Sequence, residues 1–242
     1  LAIMIMTSSS MTQKSRVVVF DLDDTLYKEQ DYLRSAYREI AARIESCYGN
    51  LPLLSRRGQG WSDPPLDRML RWRQEGENVF QRLIGAYGLD LTVNDLLTIY
   101  RSHVPAIRLD GQTKSLLDRL YPHAVLGLIT DGRSLTQRHK IDALGLSAYM
   151  DEKDILISEE TGFEKPSDES FRHFMERYPS CTYYYIGDNP AKDFVSPNRL
   201  GWTTACLLDD GRNIHPQDFS LSQQMLPQHR ISQLSEIENI II

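Results

Sequence analysis

Cysteine is scarce in this chain of 242 residues: Cys47, Cys181 and Cys206 are odd in number and widely separated. Their spacing offers neither a disulfide framework nor a metal-binding cluster, and it suits reduced thiols in a cytoplasmic protein. Long apolar runs are missing as well, so no segment reaches the length of a membrane span. Leu1–Met6 is apolar but short, with no basic flank before it and no small-residue cleavage site after it, which argues against a signal peptide. The polar run Thr7–Lys14 extends it into an expected disordered leader over residues 1–15. There is no long basic block, and the formal net charge is −6, which argues against nucleic acid or an anionic membrane as the main partner. No internal repeat is apparent.

What is present is ordinary in bulk and unusual in one place. Apolar residues make up 41% and charged residues 25%, as in a soluble globular protein, and the length suffices for a real core without staples. The unusual stretch runs from Val17 to Thr25. Four apolar residues, three of them β-branched, read as a strand buried on both faces. Three carboxylates, Asp21, Asp23 and Asp24, follow immediately. Like charges at the lip of a buried strand repel unless a cation or a shared proton offsets them. Ligands of open α/β sheets bind at the carboxyl ends of strands, so Asp21 and Asp23 stand where a cation and a substrate are expected. Asp is also a common turn residue, and the stretch alone is compatible with an acidic surface turn.

The rest of the chain decides between them. Leu33, Ala36, Ile40, Ile44 and Cys47 recur at helical spacing, with Gly49 as a stop. Residues 50–65 have no period and read as a loop. A second helical pattern runs from Leu66, is weakened at Gly76 and resumes at Val79, and a third opens on Thr92 as N-cap. This all-helical block follows the first strand directly. From Gly111 onward helix and strand alternate. Strands are expected at Ala124–Ile129, Ile155–Ile157, Tyr183–Ile186 and, as the last clear one, Thr203–Leu208. Helices are expected from Gln112, from a Ser134/Gln137 capping box, from Ser167 as cap, and from Asn189 as cap with Pro190 first. The stretch from Asp209 to about His229 shows no dominant period, and the closing Ile240–Ile242 is apolar enough to dock on the core. The pattern predicts an α/β fold: a Rossmann-like parallel sheet flanked by helices, built from residues 16–28 and 106–242, with an inserted helical domain over 29–105.

Polar chemistry then gathers at the strand ends: Asp21 and Asp23 after the first, Thr130 and Asp131 after the second, Asp188 after the fourth. Asp193 lies five residues beyond Asp188, in the first turn of the helix expected from Pro190, and Lys165 precedes a proline at the head of another helix. Each alone is unremarkable, since a Thr can simply end a strand and a Lys can simply be solvated. Together, in this order, the residues resemble the haloacid dehalogenase superfamily of phosphotransferases. Asp21-Leu22-Asp23-Asp24-Thr25 matches its first motif, Thr130 the second, Lys165 the third, and Gly187-Asp188 with Asp193 the fourth; the helical block stands where one cap type of the family is inserted.

The resemblance implies a Mg²⁺-dependent phosphatase acting on a small phosphorylated metabolite. In it Asp21 is the nucleophile, and Asp23 is an acid and base that should be neutral when the substrate binds, which neighbouring carboxylates favour by raising its pKa. Thr130, the Asp131 amide and Lys165 hold the phosphate. Mg²⁺ sits on Asp21, the Asp23 carbonyl and Asp188, with Asp193 direct or through water. Asp131 stands where the family often has Asn, so only its backbone role carries over. Asp23 favours phosphoryl transfer over dehalogenation, which needs no leaving-group acid. A hexose-phosphate mutase keeps the same residues. A receiver-type signalling domain also clusters Asp, Thr and Lys around Mg²⁺, but it has neither a cap nor the late Asp pair. In the insertion, Arg56, Arg57, Arg71 and Arg73 are candidates to meet an acidic substrate group, against the plainer reading of solvated charges. Trp61 and Trp72 read as core of the insertion.

Overall fold

Alternation along the first strand organises the molecule. In the computed structural model, which describes residues 14–48 and 64–241, β1 spans Arg16–Phe20. Val18 and Phe20 face one side of the sheet, Val17 and Val19 the other, and all four are wholly buried. Burying each such side chain is worth about 1.5–3 kcal/mol, so a strand with two apolar faces belongs in mid-sheet. β2 (Val125–Thr130), β3 (Ile155–Ile157), β4 (Thr182–Gly187), β5 (Thr203–Leu207) and β6 (His229–Ile231) complete a sheet of order β3-β2-β1-β4-β5-β6, each pair parallel. The order reverses at β1, which makes its carboxyl end the switch point of the sheet.

Two helical layers cover the sheet. On one face α5 (Gly111–Leu120), α6 (Ser134–Leu144) and α10 (Glu238–Ile241) pack Leu116, Leu117, Ile141, Leu144 and Ile241 against Val18, Phe20, Leu126 and Leu128. On the other, Phe171 and Phe174 of α8 (Glu169–Arg177), with Phe194 and Trp202, cover Val17, Val19, Ile129 and Tyr185. The short helices α7 (Ser158–Thr161) and α9 (Val195–Arg199) complete the connections. Ile241 carries out the docking expected of the apolar terminus.

Between β1 and β2 lies the helical insertion: α1 (Glu29–Tyr48), α2 (Pro65–Gln74), α3 (Val79–Tyr87) and α4 (Val93–Ser102). It has its own apolar cluster, with Leu33, Tyr37 and Ile40 of α1 against Met69, Trp72, Leu83 and Leu96. Gly76 at φ 72° separates α2 from α3 rather than merely weakening one helix, and Asn78 caps α3 by accepting from Gln81 N. Thr92 caps α4 as expected, in a reciprocal capping box with Asp95. Among the described residues no helix is long and apolar enough to cross a membrane. The expected leader, apart from Lys14 and Ser15, lies outside the described residues, as do Arg56, Arg57, Trp61 and the loop expected over 50–65 apart from its last two residues.

Four local expectations are corrected. β6 is a strand in a stretch with no visible period; three residues are too few to show one. Ser134 does not cap α6: Arg133 holds that position without a side-chain bond, Ser134 Oγ is turned to Glu160, and Gln137 is turned to the strand tips. Ser167 does not cap α8, which begins two residues later; its hydroxyl contacts Glu169. Asn189 and Pro190 open a turn, not a helix, and the helix starts only at Val195, so Asp193 belongs to the turn.

Candidate active site

The tip of β1 sets the site. Asp21 N extends the ladder to Ile186 O at 2.8 Å, which fixes the Asp21 side chain beside the end of β4. The chain then turns sharply through Asp24, a non-glycine residue at φ 57°. Its side chain holds the turn, accepting from Glu29 N at 2.9 Å and from Ile214 N at 2.8 Å. At the tip of β4 the chain is so close to the Asp193 side chain that a Cβ on Gly187 would lie 2.5 Å from Asp193 Oδ2. Only glycine fits there. Asp193 is fully buried, and its Oδ2 accepts from Asp188 N at 3.2 Å and Asn189 N at 2.8 Å.

Ligand atoms of Asp21, Asp188 and Asp193 lie within 4.8 Å of one another, all three residues buried. Lys165 reaches this group from the segment before α8, its side chain 1% exposed. Its ammonium contacts Asp21 Oδ1, pairs with Asp193 Oδ1 at 2.8 Å and donates to Tyr185 OH at 3.1 Å. Burial opposes the ammonium, but Asp193 and Asp21 outweigh burial and hold the Lys165 pKa well above its usual value. One ammonium does not balance three carboxylates. Burial, and then Asp193, push Asp21 up to about 6 despite Lys165. Asp188, raised by burial, by Asp21 and by Asp193, reaches about 9. A buried set of oxygen donors with surplus negative charge fits a hard divalent cation such as Mg²⁺.

Thr130 and Asp131, at the tip of β2, complete the floor of the site. Thr130 is 1% exposed and its Oγ1 accepts from Gln137 Nε2 at 2.6 Å, which leaves the hydroxyl proton to donate elsewhere. The Asp131 side chain, for which only a backbone role was carried over, has structural work. Its Oδ1 accepts from Lys165 N at 3.0 Å and its Oδ2 pairs with Lys192 at 3.0 Å. Asp21, Asp23, Thr130, Asp131 and Asp188 thus line one cavity of about 180 Å³, with Lys192, His215 and Glu29 at its walls. Lys165 and Asp193 lie behind it. Neither Arg71 nor Arg73 lines it.

Asp23 departs from expectation. Lys140 Nζ contacts both its oxygens, at 2.7 and 2.8 Å, Tyr27 OH donates at 2.5 Å and Gln137 Nε2 at 3.1 Å. Burial would raise its pKa, but Lys140, Tyr27 and Gln137 outweigh burial and bring it below the ordinary carboxylate value. The expected upward shift of Asp23 by its carboxylate neighbours is therefore not found: Asp23 is ion-paired with Lys140 and its pKa is lowered. Neighbouring acids do not decide its charge, because an ammonium stands closer. Gln137 and Lys140 were missed because α6 was read only for its cap and its apolar period. A Gln and a Lys on the same stripe as Ile141 and Leu144 were the available signal.

Comparison with known proteins gives the family. A model of haloacid dehalogenase-like hydrolases matches residues 15–201. The chain belongs to that hydrolase family. Among relatives of the hydrolase, a glyceraldehyde 3-phosphate phosphatase of Methanocaldococcus jannaschii is 26% identical over 93% of this chain and 96% of its own. The HAD-hydrolase YfnB of Bacillus subtilis is 28% identical over 95% and 96%. The crystal structure of YfnB bound to magnesium superposes with a TM-score of 0.61, covering 94% of this chain and 99% of that one at 24% identity, a likeness in fold. The pyrimidine 5'-nucleotidase YjjG of Escherichia coli is 28% identical over 52% of this chain and 54% of its own.

Proposed function

We propose that this hydrolase is a Mg²⁺-dependent phosphatase that cleaves a small soluble phosphomonoester through a phosphoryl group carried on Asp21. One observation carries the reading: the carboxylates of Asp21, at the tip of β1, and of Asp188 and Asp193, at the tip of β4 and in the turn after it, converge within 4.8 Å next to Thr130 and a buried lysine. Asp21, Asp188 and the Asp23 main-chain carbonyl would hold the ion. Asp193 acts indirectly, since both of its oxygens are engaged by Lys165, Tyr185 and two backbone amides. When bound, the ion neutralises charge on the transferring group and offsets the repulsion between Asp21 and Asp188.

The chain's own groups then divide the work. A carboxylate oxygen of Asp21 forms a bond to phosphorus as the ester P–O bond breaks. The Thr130 hydroxyl and the Asp131 amide bind remaining phosphoryl oxygens, and the Lys165 ammonium, behind Asp21, adds positive charge that stabilises them. Asp23, which takes up a proton from solvent as the substrate arrives, gives that proton to the departing alcohol. The arriving anionic phosphoryl group favours that protonation by disfavouring the carboxylate. In the second half Asp23, again a carboxylate, takes a proton from water as the water oxygen bonds to phosphorus, and Asp21 leaves as a free carboxylate. Residues 29–105 act as a cap on the core of residues 16–28 and 106–242, since Glu29, the first residue of α1, lines the cavity. A cavity of about 180 Å³ and the phosphatase and nucleotidase names of the relatives support a small phosphorylated metabolite as substrate.

The test is release of inorganic phosphate from aryl, triose, sugar and nucleotide monophosphates, in Mg²⁺ and in EDTA. Release that requires Mg²⁺ supports the reading. No release from any ester in Mg²⁺ contradicts it.

A further inference from the structure

The connection from β5 to β6 has no part in the four motifs, yet one stretch of it touches both Asp188 and the helical insertion. Asn213 Nδ2 donates to Asp188 Oδ2 at 3.1 Å, while Asn213 Oδ1 accepts from Lys28 Nζ at 2.8 Å. An amide suits both neighbours at once, because it offers a donor to the carboxylate and an acceptor to the ammonium. Lys28 lies in the segment that leads from the β1 turn into α1, and it also pairs with Asp210 at 3.2 Å. The next residue, Ile214, packs against the apolar cluster of the insertion. Ile214 N donates to Asp24 Oδ2, the same side chain whose Oδ1 accepts from Glu29 N at the start of α1.

The loop is stiff enough to transmit a displacement. Asp209 Oδ1 accepts from the backbone of Gly211, Arg212 and Asn213 at 2.8–3.0 Å. Gln217 Nε2 ties the far end to Asp188 O at 2.6 Å and Leu207 O at 2.8 Å. Asp188 is therefore gripped at its side chain and its carbonyl by one loop, which is itself seated on the insertion.

We propose that Asn213 is a positioning residue for Asp188, and that Lys28 and Ile214 couple its placement to the seating of the helical insertion. The proposal rests on the reading of Asp188 as an ion ligand. Displacing the insertion moves Ile214 and Lys28, these move Asn213, and the Asp188 carboxylate turns with it. Ion binding and the position of the insertion are then linked in both directions.

Mn²⁺ binding followed by electron paramagnetic resonance tests this without substrate, Mn²⁺ standing in for Mg²⁺ as another oxygen-seeking divalent ion. Asn213→Ala should weaken binding about 10- to 100-fold, as loss of an outer partner of a ligand does. Lys28→Met and Ile214→Ala, neither of which changes a carboxylate, should each weaken it about 2- to 30-fold. The Lys28→Met/Asn213→Ala pair should fall short of the product of the single effects. Thermal unfolding of each variant checks its fold, with Ile214→Val as the milder replacement should Ile214→Ala unfold. Wild-type protein that binds no Mn²⁺ contradicts the reading of the site itself. Wild-type binding that Asn213→Ala leaves unchanged, or that neither Lys28→Met nor an Ile214 variant weakens, overturns the positioning proposal alone.

Discussion

Asp21 and Asp23 stand two residues apart and live in opposite electrostatic company. Asp21 shares its one contacting ammonium, Lys165, with Asp193, has Asp188 beside it, and is pushed up to about 6. Asp23 has Lys140 on both its oxygens together with Tyr27 and Gln137, and is drawn down. One side of the β1 tip has surplus negative charge and fits a cation. The other is already neutralised, its carboxylate held by Lys140, Tyr27 and Gln137. Chemically identical side chains are thus set to different tasks by which strand or helix faces them.

The largest effects are expected on the Asp21 side. Asp21→Asn should lower Mg²⁺-dependent phosphate release by about 10⁴-fold or more, as loss of a nucleophile does, with far-UV circular dichroism unchanged. Lys165→Met removes the cation from among buried carboxylates. It should cost about 3–5 kcal/mol in urea unfolding and about 10²–10³-fold in turnover.

Asp188 predicts a pH dependence. Its folded pKa, about 9, lies above the ordinary carboxylate value, so the folded state binds more protons than the unfolded one between the two values. In EDTA, stability should fall as pH rises from about 4 toward 9. Mg²⁺ at one hundred times its dissociation constant should restore about 2.7 kcal/mol at the alkaline end, read from melting temperatures with and without the ion. The Asp23 side has the opposite sign and a smaller effect. A depressed carboxylate contributes stability above its unfolded pKa that is lost as pH falls through the folded value. Lys140→Met should therefore cost about 1.5–3 kcal/mol near pH 7, and the difference from wild type should vanish in acid.

Asp21, Thr130 and Asp188 were legible in the sequence because each stands at the end of an apolar strand, and parallel strands bring their carboxyl ends to one edge. Lys165 and Asp193 end no strand; Lys165 was legible from its place before a proline ahead of α8, and Asp193 from its spacing of five residues after Asp188. What escaped belongs to elements whose pattern has another cause. Gln137 and Lys140 sit on a helix whose apolar period reports packing and is silent about a polar pair on the same stripe. Asn213 lies in a connection with no period at all. The charge of Asp23 depends on a lysine 117 positions away, which no local reading reaches.

On the proposed mechanism a phosphoryl group resides on Asp21 during turnover. Acid quenching during turnover of an aryl phosphate in Mg²⁺, followed by borohydride reduction and peptide mass spectrometry, reads this directly. An acyl phosphate at position 21 is reduced to homoserine there, and that is the predicted result. Steady phosphate release with Asp21 left unreduced, and the modification found on another carboxylate, would contradict the account.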